Sequence, residues 1–157
     1  MARRFVAIVA VVVTALLLQS TVFAELRLVG VRPELLYLVT ISIALLEGPN
    51  QGAIVGFAAG LAQDFMLNQP KGITALTLTL LGYSIGMVRQ YIVSPSPLLP
   101  TFLVAIGTAT GVAFYEVVSV LLGNFQLPFT FAAKVVLLTA AYNTVLTPIV
   151  FPVLRRT

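Results

Sequence analysis

The chain has 157 residues, of which 59% are hydrophobic and 9% charged, with a mean hydropathy of +1.06. A soluble domain carries roughly 25% charged residues to face water, so most of this surface must face lipid. His, Cys and Trp are absent, which excludes zinc and haem sites, thiol chemistry, disulfides, catalytic triads and a histidine base.

The net charge of +4 sits mostly near the ends of apolar runs. It reads as membrane orientation rather than as the dense basic stripe of a nucleic-acid binder. A helix crossing the hydrocarbon core needs about 20 apolar residues, and six candidate runs follow one another along the chain. The first is Phe5 to Phe23, and Pro33 opens the second, which ends at Leu46. Glu47, Gly48, Pro49 and Asn50 break it before the third, Gln51 to Leu67. Asn68, Gln69, Pro70 and Lys71 separate that from the fourth, Gly72 to Val88. Pro95, Pro97 and Pro100 mark the next gap, and the fifth run is Leu98 to Leu122. Gly123, Asn124 and Pro128 precede the sixth, Phe129 to Leu154, where Pro148 and Pro152 are expected to bend the last turns. Six such spans leave no room for a soluble domain. The expectation is a single all-α polytopic membrane domain over residues 1–157 with six transmembrane helices. The second run is short, about 21 Å of helix against a core of roughly 30 Å, so it either spans or folds with the third as a re-entrant hairpin.

Arg3 and Arg4, the apolar stretch after them and Val22-Phe23-Ala24 also imitate a cleavable leader. In a chain that is membrane throughout, a first transmembrane helix is the simpler reading. With the N-terminus inside, the inner side holds Arg3, Arg4, Arg89, Arg155 and Arg156, and the outer side Arg27, Arg32, Lys71 and Lys134. The two arginine pairs directly beside spans place both termini in the cytoplasm.

Gly48, Gly52, Gly56 and Gly60 recur every fourth residue, followed by Asp64. That spacing makes one helical face, a flat groove into which another helix backbone fits, either within the bundle or from a partner. Gly82 and Gly86, and Gly107 and Gly111, repeat the pattern in the fourth and fifth helices. Ionisable groups inside spans are expensive and therefore informative. Measured from the helix ends, Gln19, Asp64, Glu116 and Lys134 all fall within roughly 10 Å of the outer boundary, and Glu34 joins them. They form either one polar layer lining a pocket or docking site, with Glu116 and Lys134 paired, or interfacial groups that snorkel into headgroup water. Asn143, in the sixth helix, is expected to hydrogen-bond a neighbouring helix. Asp64 is the only aspartate, so a metal-binding cluster is missing, as is any phosphate-binding glycine loop. No enzyme, cofactor or metal is expected.

The order of motifs resembles the rod shape-determining family MreD. The likeness is carried by Leu18-Gln19-Ser20-Thr21-Val22-Phe23, by Gly30-Val31-Arg32-Pro33-Glu34-Leu35-Leu36 and by Glu47-Gly48-Pro49. It continues through Gly52, Gly56-Phe57-Ala58-Ala59-Gly60-Leu61-Ala62-Gln63-Asp64, Gly72 and Leu81-Gly82-Tyr83. Glu34 stands where the family often has Asp. Roughly residues 15 to 86 are covered, and the last two helices agree only in hydropathy. The resemblance implies a non-enzymatic subunit of the bacterial inner membrane in the cell-elongation machinery. It would bind MreC, within an assembly that includes MreB, RodA and its transpeptidase, and have no nucleic-acid partner. It also implies a fold similar to the six-helix capture subunits of energy-coupling-factor transporters, so small-molecule capture near the outer face is the alternative.

Overall fold

The computed structural model describes residues 2–25, 30–31, 33–68, 72–92, 96–123 and 128–156. Among these the regular elements are all helices: α1 (Ala2–Ser20), a single turn α2 (Val22–Glu25), α3 (Leu35–Glu47), α4 (Pro49–Met66), α5 (Ile73–Arg89), α6 (Leu99–Leu121) and α7 (Phe129–Arg156). The six apolar runs correspond to the six longer helices with ends shifted by a few residues. Three of them, α1, α6 and α7, are long and apolar enough to cross a membrane, while α3 and α5 are shorter apolar helices. Of the cations expected on the outer side, Arg27, Arg32 and Lys71 lie outside the described residues.

The first helix stops at Ser20 rather than at Phe23. There the Ser20 and Thr21 hydroxyls both donate to the Leu17 carbonyl, at 3.2 and 2.5 Å. Short hydroxyl side chains that compete for backbone carbonyls favour turns over helix interiors. At the other end of the chain α7 runs without a break through Pro148 and Pro152.

The short second run becomes the centre of the bundle. All ten residues from Leu35 to Ala44 are buried, because a helix that is apolar all round has no face to give to water and is enclosed on every side. Helix α3 touches α1, α4, α5, α6 and α7. It is antiparallel to α1 and covers the same depth: Glu34 meets Gln19 at one end, and Glu47 meets Arg4 at the other. The two stretches correspond to about 20 and 22 Å of helix.

Gly48 turns the chain from α3 into α4 at φ +99°, and its N–H donates to the Ala44 carbonyl at 3.0 Å. Of its two expected places, the break between the runs and the head of the glycine groove, it takes the first, and Arg89 Nη1 lies 3.8 Å from where its side chain would begin. The groove proper starts at Gly52 and is filled by α5. A methyl group on Gly52 would sit 2.6 Å from the Gly82 carbonyl oxygen, and one on Gly82 would collide with the Gly52 carbonyl. Gly56 faces the Leu78 carbonyl, Gly60 the Ala75 backbone and Gly86 the Pro49 backbone. Backbone lies on backbone along the whole contact, the most extensive in the molecule. Gly107 and Gly111 do something different: they receive the Ile41 and Tyr37 side chains of α3.

Candidate functional site

Polar side chains gather at the end of the bundle where α1 finishes, α3 begins and α4 finishes. Glu34, half-buried in front of α3, accepts hydrogen bonds on Oε2 from Gln19 Nε2 at 3.0 Å and Gln63 Nε2 at 3.2 Å. Gln19 Oε1 accepts in turn from the Leu36 N–H at 3.3 Å, one of the free donors at the start of α3. Asn143 of α7 donates to the Glu34 carbonyl at 3.0 Å and to Thr108 Oγ1 of α6 at 3.2 Å. Five helix segments are thereby tied by side-chain hydrogen bonds, with Gln63 Oε1 and Asn143 Oδ1 left as buried acceptors without a partner among the described residues. A buried polar group left without a partner costs about 1–3 kcal/mol.

Asp64 is fully buried beside this network and does a separate job. Its Oδ2 accepts from the N–H groups of Gly72 at 2.8 Å and Ala75 at 3.3 Å. A carboxylate there satisfies free donors and meets the positive end of the α5 dipole.

The other two members of the expected layer stay apart. Glu116 and Lys134 make no ion pair within 4.0 Å; Glu116 is half-buried and Lys134 exposed. The reason is angular. The buried stripe of α7 includes Thr139, Asn143 and Thr147. At about 100° per residue, Lys134 lies roughly half a turn of the helix away from Asn143. Similar distance from the helix ends gave no information about the face. Gln63, Thr108 and Leu36 are the participants that the sequence reading missed. Gln63 carried a signal, since it falls three residues after Gly60 on the α4 face already marked by glycines.

The opposite end collects arginines. Arg4 Nη1 lies 3.4 Å from Glu47 Oε1, with the two side chains 68% and 27% exposed. Arg89 covers the Gly48 turn beside Glu47, and Arg155 shares a cleft with Arg4 and Glu47. The start of α1 and the ends of α5 and α7 therefore lie on one side of the molecule. Among the described residues no cluster of three metal-binding side chains occurs.

A family model described as rod shape-determining protein MreD matches residues 1–157, including the last two helices that the motifs did not reach. No curated protein and no solved structure is similar enough to this chain to count as a match.

Proposed function

Because the chain belongs to the MreD family of rod shape-determining membrane proteins, we propose that it is a non-enzymatic, multi-pass subunit of the cell-elongation machinery in the bacterial inner membrane. Its direct partner in this reading is the single-span protein MreC. Through MreC it helps to link MreB and the peptidoglycan synthases RodA and its transpeptidase. The observation that carries the reading is the family match over the whole chain. All six long helices cross the bilayer, with α3 crossing inside a sheath of the others. The arginine end, with Arg3, Arg4, Arg89, Arg155 and Arg156, lies in the cytoplasm, as the excess of Lys and Arg on that side favours. The Glu34 network then lies at the outer ends of α1 and α4, level with the middle of α6 and α7 at Thr108 and Asn143.

The network supports a scaffold better than a capture subunit. A site for a small molecule needs polar groups free to meet it; here the Gln19 and Gln63 amide N–H groups are both taken up by Glu34 Oε2, and the atoms left over, Gln63 Oε1 and Asn143 Oδ1, are buried acceptors.

Two experiments test this. Affinity purification of the tagged chain from native membranes is expected to retain MreC; recovery of an ATPase module and a bound vitamin in its place would favour transport. The cysteine-free background allows the topology to be read directly. Single cysteines at Ala2 and Asn50 are expected to resist membrane-impermeant reagents in intact cells, and one at Asn68 to react. Labelling of Ala2 from outside would reverse the orientation.

A further inference from the structure

At the arginine end a cleft of about 130 Å³ opens between α1, α3 and α7. Helix α1 leans on α3 and hardly touches α7, which leaves the space between them. Its floor is apolar, made by Ile8, Ile43, Leu46 and Leu154, while Arg4 and Arg155 stand at the rim with Glu47. Glu47 offsets one of these guanidinium groups, at 3.4 Å from Arg4. Arg155 has no acidic partner among the described residues. Among the described residues one positive charge at the cleft is therefore uncompensated, and the flanking helices expose Phe5, Val9, Ile149 and Val153. The volume is well below the roughly 300–1,000 Å³ of small-molecule pockets.

We propose that this cleft binds an anionic phospholipid, with the headgroup phosphate between Arg155 and Arg4 and the acyl chains along the apolar faces of α1 and α7. The chemistry selects this occupant: a guanidinium fork matches phosphate oxygens, and the continuous apolar floor and flanks suit a hydrocarbon chain and would repel a hydrated ion. A basic pocket between transmembrane helices beside the headgroup layer is where such lipids are held. Glu47 is the built-in competitor, because the phosphate must share or displace its contact with Arg4. The inference rests on the chain being in a membrane and not on any protein partner, so failure to recover MreC would leave it untouched.

The test is a titration of the detergent-solubilised full chain with phosphatidylglycerol, phosphatidylcholine or inorganic phosphate, following bound lipid by native mass spectrometry and the melting temperature in parallel. Phosphatidylglycerol is expected to bind and stabilise at concentrations where phosphatidylcholine and phosphate do not. Arg155→Gln should weaken it about fivefold, the equivalent of one basic residue at a membrane surface. Arg155→Lys keeps the charge without the fork and should fall between the unchanged chain and Arg155→Gln, which separates loss of charge from loss of fold. Glu47→Gln should tighten binding by releasing Arg4. Arg156→Gln removes the same charge from an exposed neighbour outside the cleft and should change affinity less than twofold, a bound well inside that fivefold step. Equal binding of phosphatidylcholine, equal stabilisation by free phosphate, or equal losses for Arg155→Gln and Arg156→Gln would each overturn the site.

Discussion

Helix α3 carries an acid at either end, and the two are treated differently. Glu34 is half-buried and held by Gln19 and Gln63, two buried amides from helices on either side. Glu47 shares one 3.4 Å contact with an arginine that is itself 68% exposed. Hydrogen bonds to a charged group contribute about 1.5–3 kcal/mol each, whereas an exposed ion pair contributes about 0–1 kcal/mol. At one end polar chemistry fixes the helices against each other; at the other it leaves charges available to something outside the protein. The glycine-lined contact between α4 and α5 belongs with the first end. It brings Gln63 and Asp64 to their places, and nothing comparable holds α1 to α7.

The comparison can be broken most severely through that contact. Gly56→Leu would drive a side chain into the Leu78 carbonyl, an obstacle in the backbone that cannot rotate aside. The loss should reach or exceed the upper end of ordinary overpacking, about 3 kcal/mol, seen as lost monodisperse protein or a large drop in melting temperature. Unchanged stability would place α4 away from α5. Next in size is Glu34→Leu, which strands the Gln19 and Gln63 amides at about 1–3 kcal/mol each; Glu34→Gln keeps one acceptor oxygen and should lose less in the same melting assay. Smaller still is the coupling between Arg4 and Glu47, about 0–1 kcal/mol in a double-mutant cycle on thermal stability. Smallest is the coupling between Glu116 and Lys134, which should fall within the roughly 0.3–0.5 kcal/mol of independent sites. A larger value would restore the pair that the structure separates.

Much of the bundle was legible because proline and glycine act locally. Pro33, Pro49 and Pro128 sit at or just before helix starts, and a glycine every fourth residue marks a helical face wherever the helix goes. The central place of α3 was written in Leu35–Ala44, a run with no polar face to turn outward, yet its length drew attention to the membrane and away from its neighbours. The site was less legible. Distance from a helix end suggested that Gln19, Glu34, Asp64, Glu116 and Lys134 form one layer, but depth is only one coordinate. Asn143 is the α7 residue that meets Glu34, so Lys134, nine residues earlier, lies about 13 Å farther along that helix and also points away. Asp64 shares the depth and caps α5 through Gly72 and Ala75, residues that come close only once the chain has turned back. Asn143 reaches back 35 residues to Thr108 and 109 to Glu34, and no local pattern encodes such a meeting.

The most direct measurement sets Glu34→Leu beside Glu47→Leu in the purified full chain: the same residue type and the same substitution at opposite ends of one helix. If buried amides fix one end while the other is only a surface pair, the fall in melting temperature for Glu34→Leu should be severalfold the fall for Glu47→Leu. Equal losses, or a larger one at Glu47, would contradict the account.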